Sequence, residues 1–299
     1  YGTSFPSIFQ SLSWADLFST AVGCRPANML YCCLNSFMQL HFSKYHGAGN
    51  DFVMIDNREG VFDPTNSELV RFLCHRRIGI SADGMILIEN DPDYDFRMVF
   101  LNNDGSMGSM CGNGGRCIVR FADDLGVIRD KNNIRFVAVD GVHEASIEGD
   151  LIRLKMQDVG EIGTRNGLTF LHSGTTPHHV QYVVNLESFP VCSEARKVRD
   201  EDVDPRGVNV NYVEIRDGVF HVRTYERGVE DETLACGTGA TSVAIASHSL
   251  GLLDDKNFCD IKMPGGDLRI DFEKTPDGTY KNIWLTGPAV KVFDGEIEI

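Results

Sequence analysis

The sequence contains the same short motif twice, once in each half of its 299 residues. Residues 111–114 read Cys-Gly-Asn-Gly and residues 236–239 read Cys-Gly-Thr-Gly, and apolar side chains at helical spacing follow each motif. In both halves, runs typical of strands come before the motif and after the helix. This order predicts a duplicated unit of mixed α/β (α+β) class, with each cysteine at the start of a helix.

Periodicity indicates three helices among many strands. The helices are predicted at residues 67–75, 115–125 and 238–250, and strands at 38–42, 52–55, 85–89, 96–101, 134–139, 151–156, 180–184, 208–215, 219–225, 268–272 and 283–285. The halves divide most naturally after Lys155, where residues 158–163 resemble a linker. Residues 1–37 are rich in Ser and Phe, contain Arg25 as their one basic residue, and are interpreted as an upstream extension outside the fold.

Composition and charge argue against several classes of function. The 43 acidic residues outnumber the 28 basic ones, and the net charge of −15 would repel nucleic acid. No apolar stretch approaches the roughly 20 residues that a membrane-spanning helix needs. The nine cysteines are odd in number and scattered, which favours a reducing cytoplasm over a disulfide framework. No Cys-x2-Cys pair indicates zinc, and residues 47–49 are too short for a nucleotide fingerprint, so neither metal nor cofactor is expected.

A cysteine at a helix start has distinctive chemistry, although a single cysteine could equally be a small buried hydrophobe. Free main-chain N–H groups and the helix dipole favour a thiolate and a bound carboxylate, and can bring the thiol pKa from about 8.5 to roughly 3.5–7.5. Two such thiols close together would share one proton and act as one base and one acid. On opposite faces of a carbon atom, Cys111 and Cys236 would invert a stereocentre without a cofactor.

Other polar residues are weaker candidates on their own. His178 could tune a thiol, although a loop histidine is more often solvated or structural. Glu226 and Arg227 lie shortly before Cys236 and could reach a substrate or form a surface ion pair. The asparagines that could contact a ligand or simply form turns are Asn50, Asn102 and Asn209.

Several motifs taken together closely resemble those of diaminopimelate epimerase. They are residues 46–52 (His-Gly-Ala-Gly-Asn-Asp-Phe), 102–106 (Asn-Asn-Asp-Gly-Ser), 111–117 (Cys-Gly-Asn-Gly-Gly-Arg-Cys), 225–228 (Tyr-Glu-Arg-Gly) and 235–240 (Ala-Cys-Gly-Thr-Gly-Ala). They occur in the family's order, and the resemblance extends over residues 38–299. It implies an isomerase that needs no pyridoxal phosphate and interconverts LL- and meso-2,6-diaminopimelate, in the pathway to lysine and, in bacteria, peptidoglycan.

The resemblance also implies an architecture and an assembly. Two pseudo-symmetric domains are expected, each with strands wrapped around a central helix, and with the active site in the cleft between them. The N-terminal domain would comprise residues 38–155 plus the final strand at 288–299, and the C-terminal domain residues 156–287. A homodimer is expected from the family alone.

Roles for individual residues follow from the matched motifs. Cys111 and Cys236 match the catalytic acid/base cysteines, and His178 and Glu226 match the polar neighbours that support them. The residues whose main-chain groups would hold the substrate α-carboxylate are Gly112, Asn113, Gly237 and Thr238. The residues that match positions binding the rest of the substrate are Asn50, Asn102, Asn209, Glu226 and Arg227. Such distal contacts are the physical basis for choosing a long amino acid over a shorter one.

Two positions depart from the family pattern. Thr176 stands where many members have the asparagine of Gly-Asn-Pro-His, so that substrate hydrogen bond must come from the threonine or be lost. Ser81 stands at the second glycine of the common Gly-Ile-Gly-Ala-Asp-Gly and is expected to alter that loop. Neither change touches a sulfur, so both bear on substrate binding more than on reaction type.

Two other functions compete with the diaminopimelate reaction. One is a related racemase of proline or hydroxyproline, or an isomerase of the same fold that lacks the cysteines. The other is a non-catalytic amino-acid binding protein in which the glycines only cradle a carboxylate. The Glu226 and Arg227 pair favours a long substrate with charges at both ends, and anion binding alone does not require two cysteines.

Overall fold

A computed structural model describes residues 39–201 and 207–299, so the predicted extension and Met38 lie outside the described residues. The strands are β1 (Gln39–Gly47), β2 (Asn50–Asp56), β3 (Gly84–Glu89), β4 (Phe96–Asn102), β5 (Ile134–Ala138), β6 (Gly141–Glu148), β7 (Leu151–Lys155), β8 (Gly163–Arg165), β9 (Leu168–Ser173), β10 (Thr176–Tyr182), β11 (Asn209–Arg216), β12 (Val219–Glu226), β13 (Asp231–Thr233), β14 (Phe258–Met263), β15 (Gly266–Lys274), β16 (Tyr280–Pro288) and β17 (Val290–Glu298). The described α-helices are α1 (Ser67–Cys74), α2 (Gly112–Asp124), α3 (Val191–Glu201) and α4 (Gly237–Ser249).

The strands of the two halves pair in the same succession. From β1 to β7, neighbouring strands pair antiparallel, parallel, antiparallel, parallel, antiparallel and antiparallel. Strands β9, β10, β11, β12, β14, β15 and β16 repeat that succession. The helices take matching places, because α1 and α3 follow the second strand of each set while α2 and α4 precede the fifth. The duplication inferred from the cysteine motifs therefore extends through the backbone.

Each half has a hydrophobic core around its own cysteine-bearing helix. In the first half, Phe121 of α2 belongs to a buried cluster with Phe52 and Leu154. In the second half, Val243 of α4 belongs to a buried cluster with Ile270. Strands β7 and β16 pair antiparallel and join the halves into one hydrogen-bonded sheet. These features confirm the mixed α/β class, whereas the exact domain boundaries stay a prediction.

The cysteine-bearing helices differ in how much of their surface is buried. Helix α2 buries Ile118, Phe121 and Ala122 but leaves part of its outer face accessible. Helix α4 is buried on nearly every face, and the hydroxyls of Thr241 and Ser247 donate hydrogen bonds back to carbonyls of the helix itself. For example, the Ser247 hydroxyl donates to the Val243 carbonyl at 2.7 Å.

Several elements differ from the sequence-based expectations. Helix α2 begins at Gly112, three residues before the predicted start at 115, because its glycine-rich first turn hides the apolar periodicity. Helix α3 was missed, since only Val191 and Ala195 of this charged segment are buried. Strands β6, β8, β9, β13 and β14 were also missed. The final strand expected at 288–299 is β17, which pairs with β1.

Candidate active site

The two cysteine motifs meet head to head through their glycines. Cys111 and Cys236 are the N-cap residues of α2 and α4, and both have extended backbone conformation. A Cβ atom added at Gly112 would lie 3.8 Å from the Gly237 Cα, and one added at Gly237 would lie 3.6 Å from the Gly112 Cα. Both added atoms would also crowd Leu285. Glycine at these positions therefore lets two helix N-termini approach, which concentrates free N–H groups in one place.

Asn113 links the surroundings of the two cysteines. Its side-chain amide nitrogen donates to the Ala235 carbonyl at 3.0 Å, immediately before Cys236. The same nitrogen donates to the Asn50 side-chain oxygen at 3.3 Å. That oxygen also lies 3.7 Å from the Cys111 sulfur, within reach of a weak hydrogen bond from the thiol. One buried amide thus fixes the position of both motifs relative to each other.

The tight turn between β1 and β2 places Asn50 at this junction. Ala48 adopts a left-handed conformation with φ of 52° and packs against Gly265 in the second half. A Cβ atom at Gly265 would lie only 1.9 Å from the Ala48 carbonyl oxygen, so that position must be glycine. The Asn50 amide nitrogen then donates to Asp83 at 2.7 Å, which orients its oxygen toward Cys111.

The sulfur of Cys236 is surrounded by hydrogen-bonding groups. The Gly239 main-chain N–H donates to it at 3.4 Å, and the Thr238 hydroxyl lies 3.5 Å away. The Asn209 amide nitrogen approaches to 3.8 Å. Only 5% of Cys236 is exposed. This arrangement is suited to stabilising a thiolate once the proton has left.

Glu226 is the acidic neighbour of the thiols. The Thr233 hydroxyl and the Cys236 thiol both donate hydrogen bonds to its carboxylate. Burial raises the pKa of Glu226 above its ordinary value, and its negative charge raises the pKa of both Cys111 and Cys236. Glu226 is therefore placed to accept a proton from Cys236.

His178 is fully buried, and its side chain contacts Asn211. Its Nδ1 accepts from the Asn211 amide nitrogen at 3.1 Å, while its Nε2 has no partner in the described structure. Burial, reinforced by the charge of Arg227, lowers the pKa of His178 to about 3, so the ring is neutral at physiological pH. The structure places this ring against Asn211 rather than directly against a sulfur.

Asn211 is a residue of the site that the sequence reasoning missed. Besides holding His178, its amide nitrogen donates to the His179 carbonyl at 2.9 Å and its oxygen accepts from the Thr224 hydroxyl at 2.9 Å. Asn209 and Asn211 alternate along β11 and so share one face of it. The signal was present, because two asparagines on the same face of an otherwise apolar strand are poor choices for a core.

The remaining predicted residues lie around this centre. The Arg227 main-chain N–H donates to the Asn209 side-chain oxygen at 2.9 Å, which couples Arg227 to the Cys236 side. Thr176 opens β10 two residues before His178, on the same face of the strand. Asn102 ends β4 and donates to the Ser106 hydroxyl at 3.0 Å. Thr176 and Asn102 thus each lie at the end of a strand, and neither side chain contacts a sulfur of the two cysteines in the described structure.

Burial reverses one expectation about the thiols. The sequence predicts that helix starts lower the thiol pKa, and the N–H groups of Gly114 and Gly239 do act in that direction. Desolvation is nevertheless the larger effect, so the pKa of Cys111 is raised and the pKa of Cys236 is raised well above its ordinary value. In this arrangement both sulfurs favour the protonated form.

Membrane-spanning helices and metal-binding clusters are both absent from the described residues. None of their helices combines the length and apolar character needed to cross a bilayer. None of their His, Cys, Asp and Glu side chains form a group of three or more that could hold a metal ion.

Comparison of sequences identifies related proteins. The family model described as Diaminopimelate epimerase matches residues 42–160 and 170–292. A diaminopimelate epimerase of Flavobacterium psychrophilum is 48% identical over 257 residues, which cover 85% of this chain and 98% of that protein. A diaminopimelate epimerase of Chlorobaculum tepidum is 42% identical over 264 residues, covering 85% and 99% of the respective chains.

Solved structures show the same fold at much lower identity. A phenazine biosynthesis protein of the PhzF family from Bacillus anthracis matches with a TM-score of 0.65 and 15% identity, covering 88% of this chain and 100% of that one. A probable proline racemase from Agrobacterium radiobacter matches with a TM-score of 0.62 and 15% identity, covering 87% and 93%. At this level of identity the similarity shows the fold alone.

Proposed function

The chain belongs to the diaminopimelate epimerase family, and on that premise we propose that it interconverts LL- and meso-2,6-diaminopimelate by a two-base thiol mechanism. It is an isomerase of the pathway to lysine, and in bacteria to peptidoglycan precursors. The proposed mechanism is best supported by one observation: the helix N-termini that follow Cys111 and Cys236 lie next to each other.

The reaction removes one proton from the α-carbon of the substrate and adds another proton to the same carbon. One cysteine, as thiolate, removes the α-proton from one face of the substrate, and the other, as thiol, returns a proton to the opposite face. No bond to carbon changes except that carbon–hydrogen bond, so neither oxidant nor cofactor is consumed. Which sulfur acts as base depends on the isomer that binds, and proton exchange with solvent between turnovers restores the starting protonation of the two sulfurs.

The carbanion between these steps needs electrostatic stabilisation. Main-chain groups at the two facing helix starts would hold the substrate α-carboxylate and offset the negative charge that develops beside it. The residues proposed for this role are Gly112, Asn113, Gly237 and Thr238. Because donors held by a rigid backbone need no reorganisation during the reaction, they stabilise the transition state more than flexible side chains would.

The remaining site residues are proposed to support the thiols and to select the substrate. Glu226 would accept the Cys236 proton, and neutral His178 would offer its free Nε2–H toward the site. The residues proposed to bind the distal amino and carboxylate groups are Asn50, Asn102, Thr176, Asn209, Glu226 and Arg227. Arg227 suits a carboxylate because its guanidinium presents two parallel donors.

We extend the proposal to a homodimer that acts in the cytoplasm. The dimer is expected from the family, and β17 exposes the apolar residues Val290 and Val292, which are 44% and 54% exposed and lie on one face of the strand. A sheet surface of this kind suits a self-complementary contact. Light scattering after size-exclusion chromatography tests it, and a monomer at micromolar concentration would contradict the dimer.

Hydrogen exchange at the α-carbon tests the substrate and the chemistry together. The protein would be incubated in heavy water with LL- or meso-diaminopimelate, and deuterium at the α-carbon measured by mass spectrometry. Cys111→Ala and Cys236→Ala should each reduce epimerisation by at least about 10²-fold. Cys192→Ala is the matched control, because this half-buried cysteine on α3 donates to Asp231 and lies outside the proposed site.

Two outcomes would contradict the proposal. Epimerisation that persists in the double variant Cys111→Ala/Cys236→Ala, purified free of host enzyme, would exclude the two-thiol mechanism. Turnover of proline or hydroxyproline without turnover of diaminopimelate would replace the substrate.

A further inference from the structure

Arg116 is a completely buried charge beside the proposed active site. It lies on α2 with 0% of its surface exposed. Its guanidinium donates to the Gly112 carbonyl at 3.1 Å, the Asn113 side-chain oxygen at 2.9 Å and the Pro288 carbonyl at 3.3 Å. All three acceptors are uncharged. Because a guanidinium stays protonated in proteins, Arg116 keeps a permanent positive charge within the first half.

The surrounding backbone leaves room for this guanidinium. A Cβ atom added at Gly287 would lie 3.2 Å from the Arg116 Nε and 3.4 Å from its Cζ. Gly287 and Pro288 close β16, at the end that pairs with β7. An unpaired buried cation is costly, so its three hydrogen bonds and this fitted space require an explanation.

Arg116 determines which way the Asn113 amide points. An asparagine amide has one acceptor oxygen and one donor nitrogen, and the Arg116 guanidinium occupies the oxygen. The nitrogen is thereby directed to the Ala235 carbonyl and the Asn50 oxygen. If the amide turned over, its oxygen would face the Ala235 carbonyl oxygen, and the link between the two motifs would become repulsive.

The second half shows that an arginine is not needed to satisfy the first carbonyl of the helix. Thr241 occupies the corresponding place, five residues after its cysteine, and its hydroxyl donates to the Gly237 carbonyl at 3.0 Å. Arg116 makes the equivalent bond to the Gly112 carbonyl. Since a threonine hydroxyl satisfies that carbonyl in one half, the forked donor and the charge of Arg116 serve a different purpose in the other.

We propose that Arg116 is a positioning residue for the epimerase reaction: it locks the Asn113 amide, whose nitrogen donates both to the Asn50 oxygen beside Cys111 and to the Ala235 carbonyl just before Cys236, and its charge favours the Cys111 thiolate. This inference rests on the proposed function. The positioning acts through hydrogen bonds, and the charge acts through the low-dielectric interior, where screening by water is weak.

The groups that face Cys111 set the sign of the charge effect. Arg116 and the main-chain N–H groups of Asn113 and Gly114 favour its thiolate, whereas Glu226 and burial oppose it. The neighbouring Cys117 is itself buried and protonated, because desolvation raises its pKa. Loss of the Arg116 charge should therefore raise the pKa of the Cys111 thiol.

The test compares Arg116→Gln and Arg116→Lys in the full chain. Arg116→Gln removes the charge, while Arg116→Lys keeps the charge but loses the forked geometry. The matched control is Arg120→Gln, one turn further along α2, where a partly exposed arginine donates to the Gly149 carbonyl. The measurements are kcat and KM for diaminopimelate from pH 6 to pH 10, and the pH dependence of Cys111 alkylation by iodoacetamide, mapped by mass spectrometry.

The two variants should separate charge from geometry. Arg116→Gln should shift the midpoint of Cys111 alkylation to higher pH and lower kcat more than it changes KM. Arg116→Lys should keep the wild-type midpoint yet lose roughly tenfold or more in kcat, because the Asn113 amide is no longer fixed. Arg120→Gln should match wild type in both measurements.

The outcomes also separate this inference from the proposed function. A wild-type midpoint and wild-type kcat in Arg116→Gln would overturn the inference while leaving the epimerase intact. If Arg116→Gln does not fold, wild-type kcat in Arg116→Lys would overturn it equally. If the wild-type chain itself does not turn over diaminopimelate, the proposed function fails, whereas the alkylation midpoints still decide whether Arg116 acts on Cys111.

Discussion

The two cysteine-capped helices have nearly the same backbone but differ in their surroundings. Cys236 is almost fully buried, and its sulfur is approached by Gly239, Thr238 and Asn209. Cys111 is only half-buried, and its sulfur contacts the Asn50 oxygen. A duplicated fold has thus supplied matched positions for two sulfurs, while the neighbouring side chains give each sulfur a different electrostatic environment.

The charges near the two thiols are also distributed unequally. Helix α2 contains the buried cation Arg116 at the place where α4 has the neutral Thr241. Glu226, in contrast, is hydrogen-bonded on the Cys236 side. A reversible two-base reaction needs each thiol to act as acid in one direction and base in the other. If the proposed mechanism holds, the unequal surroundings predict that different neighbours support the two directions.

Replacing each cysteine by serine is the severest test of this comparison. A serine hydroxyl keeps the size but is far less acidic than a thiol, so Cys111→Ser and Cys236→Ser should each lower kcat/KM by roughly 10³-fold. Thermal unfolding should change little, because the core is preserved. If one variant kept activity close to wild type, only one of the two sulfurs would take part in the reaction. The two cysteines would then not be functional counterparts.

The pH dependence of the wild-type chain follows from the raised thiol pKa values. Because burial favours the protonated form of both sulfurs, the thiolate fraction is small at neutral pH. We therefore expect kcat/KM to rise about tenfold per pH unit up to the first thiol pKa, above the ordinary value near 8.5, and to fall once both thiols ionise. An optimum below pH 7 in a stopped-time assay of epimerisation would show that other groups lower the pKa values in the working enzyme.

Glu226→Gln tests the asymmetry of charge directly. The carboxylate raises the pKa of both thiols, and it accepts a hydrogen bond from Cys236. Its loss should shift alkylation of Cys236 to lower pH while reducing kcat roughly 10- to 100-fold, since a proton acceptor is gone. Glu273→Gln on β15 is the control, because this carboxylate accepts a hydrogen bond from the Asn282 amide and lies outside the proposed site. Unchanged alkylation of Cys236 would mean that Glu226 does not act on this sulfur.

Asn211→Ala sharpens the description of the second half. The substitution leaves His178 Nδ1, the His179 carbonyl and the Thr224 hydroxyl without their partner. We expect a loss of about 2 kcal/mol in the free energy of unfolding, because buried polar groups lose their hydrogen bonds. Denaturant unfolding measures it, with Asn132→Ala in an exposed turn as control. A loss similar to that of the control would show that water replaces the amide.

Ser81→Gly should have the smallest effect and concerns the first half alone. Ser81 adopts φ of 68°, a left-handed conformation that strains a residue with a Cβ atom, and its carbonyl accepts from the buried Lys44. A glycine would adopt the same conformation without this strain. Relief of strain outweighs the extra entropy of glycine, so stability should rise by about 0.5 kcal/mol without a change in kcat. A decrease in stability would show that Ser81 is not strained.

Local spacing predicted the elements that have a strong pattern. The helices at Ser67 and Gly237 lie within one residue of their expected starts, and the cysteines cap the predicted helices. Helix α3 failed the same criterion because most of its side chains face solvent. The duplication offered a second way to predict this helix. Helix α1 lies between β2 and β3, so its counterpart in the other half must lie between β10 and β11. A repeat can thus predict an element whose own sequence is uninformative.

Spacing and short motifs are properties of neighbouring residues, and they were enough to predict the duplicated fold, the family and the two candidate sulfurs. The direction of the thiol pKa shifts, the partner of His178 and the contacts of Asn211 and Arg116 became visible only in the folded chain. These depend on burial and on contacts between residues far apart in the chain, such as Asn113 with Ala235. Desolvation is set by everything packed around a group, so no local pattern can report it.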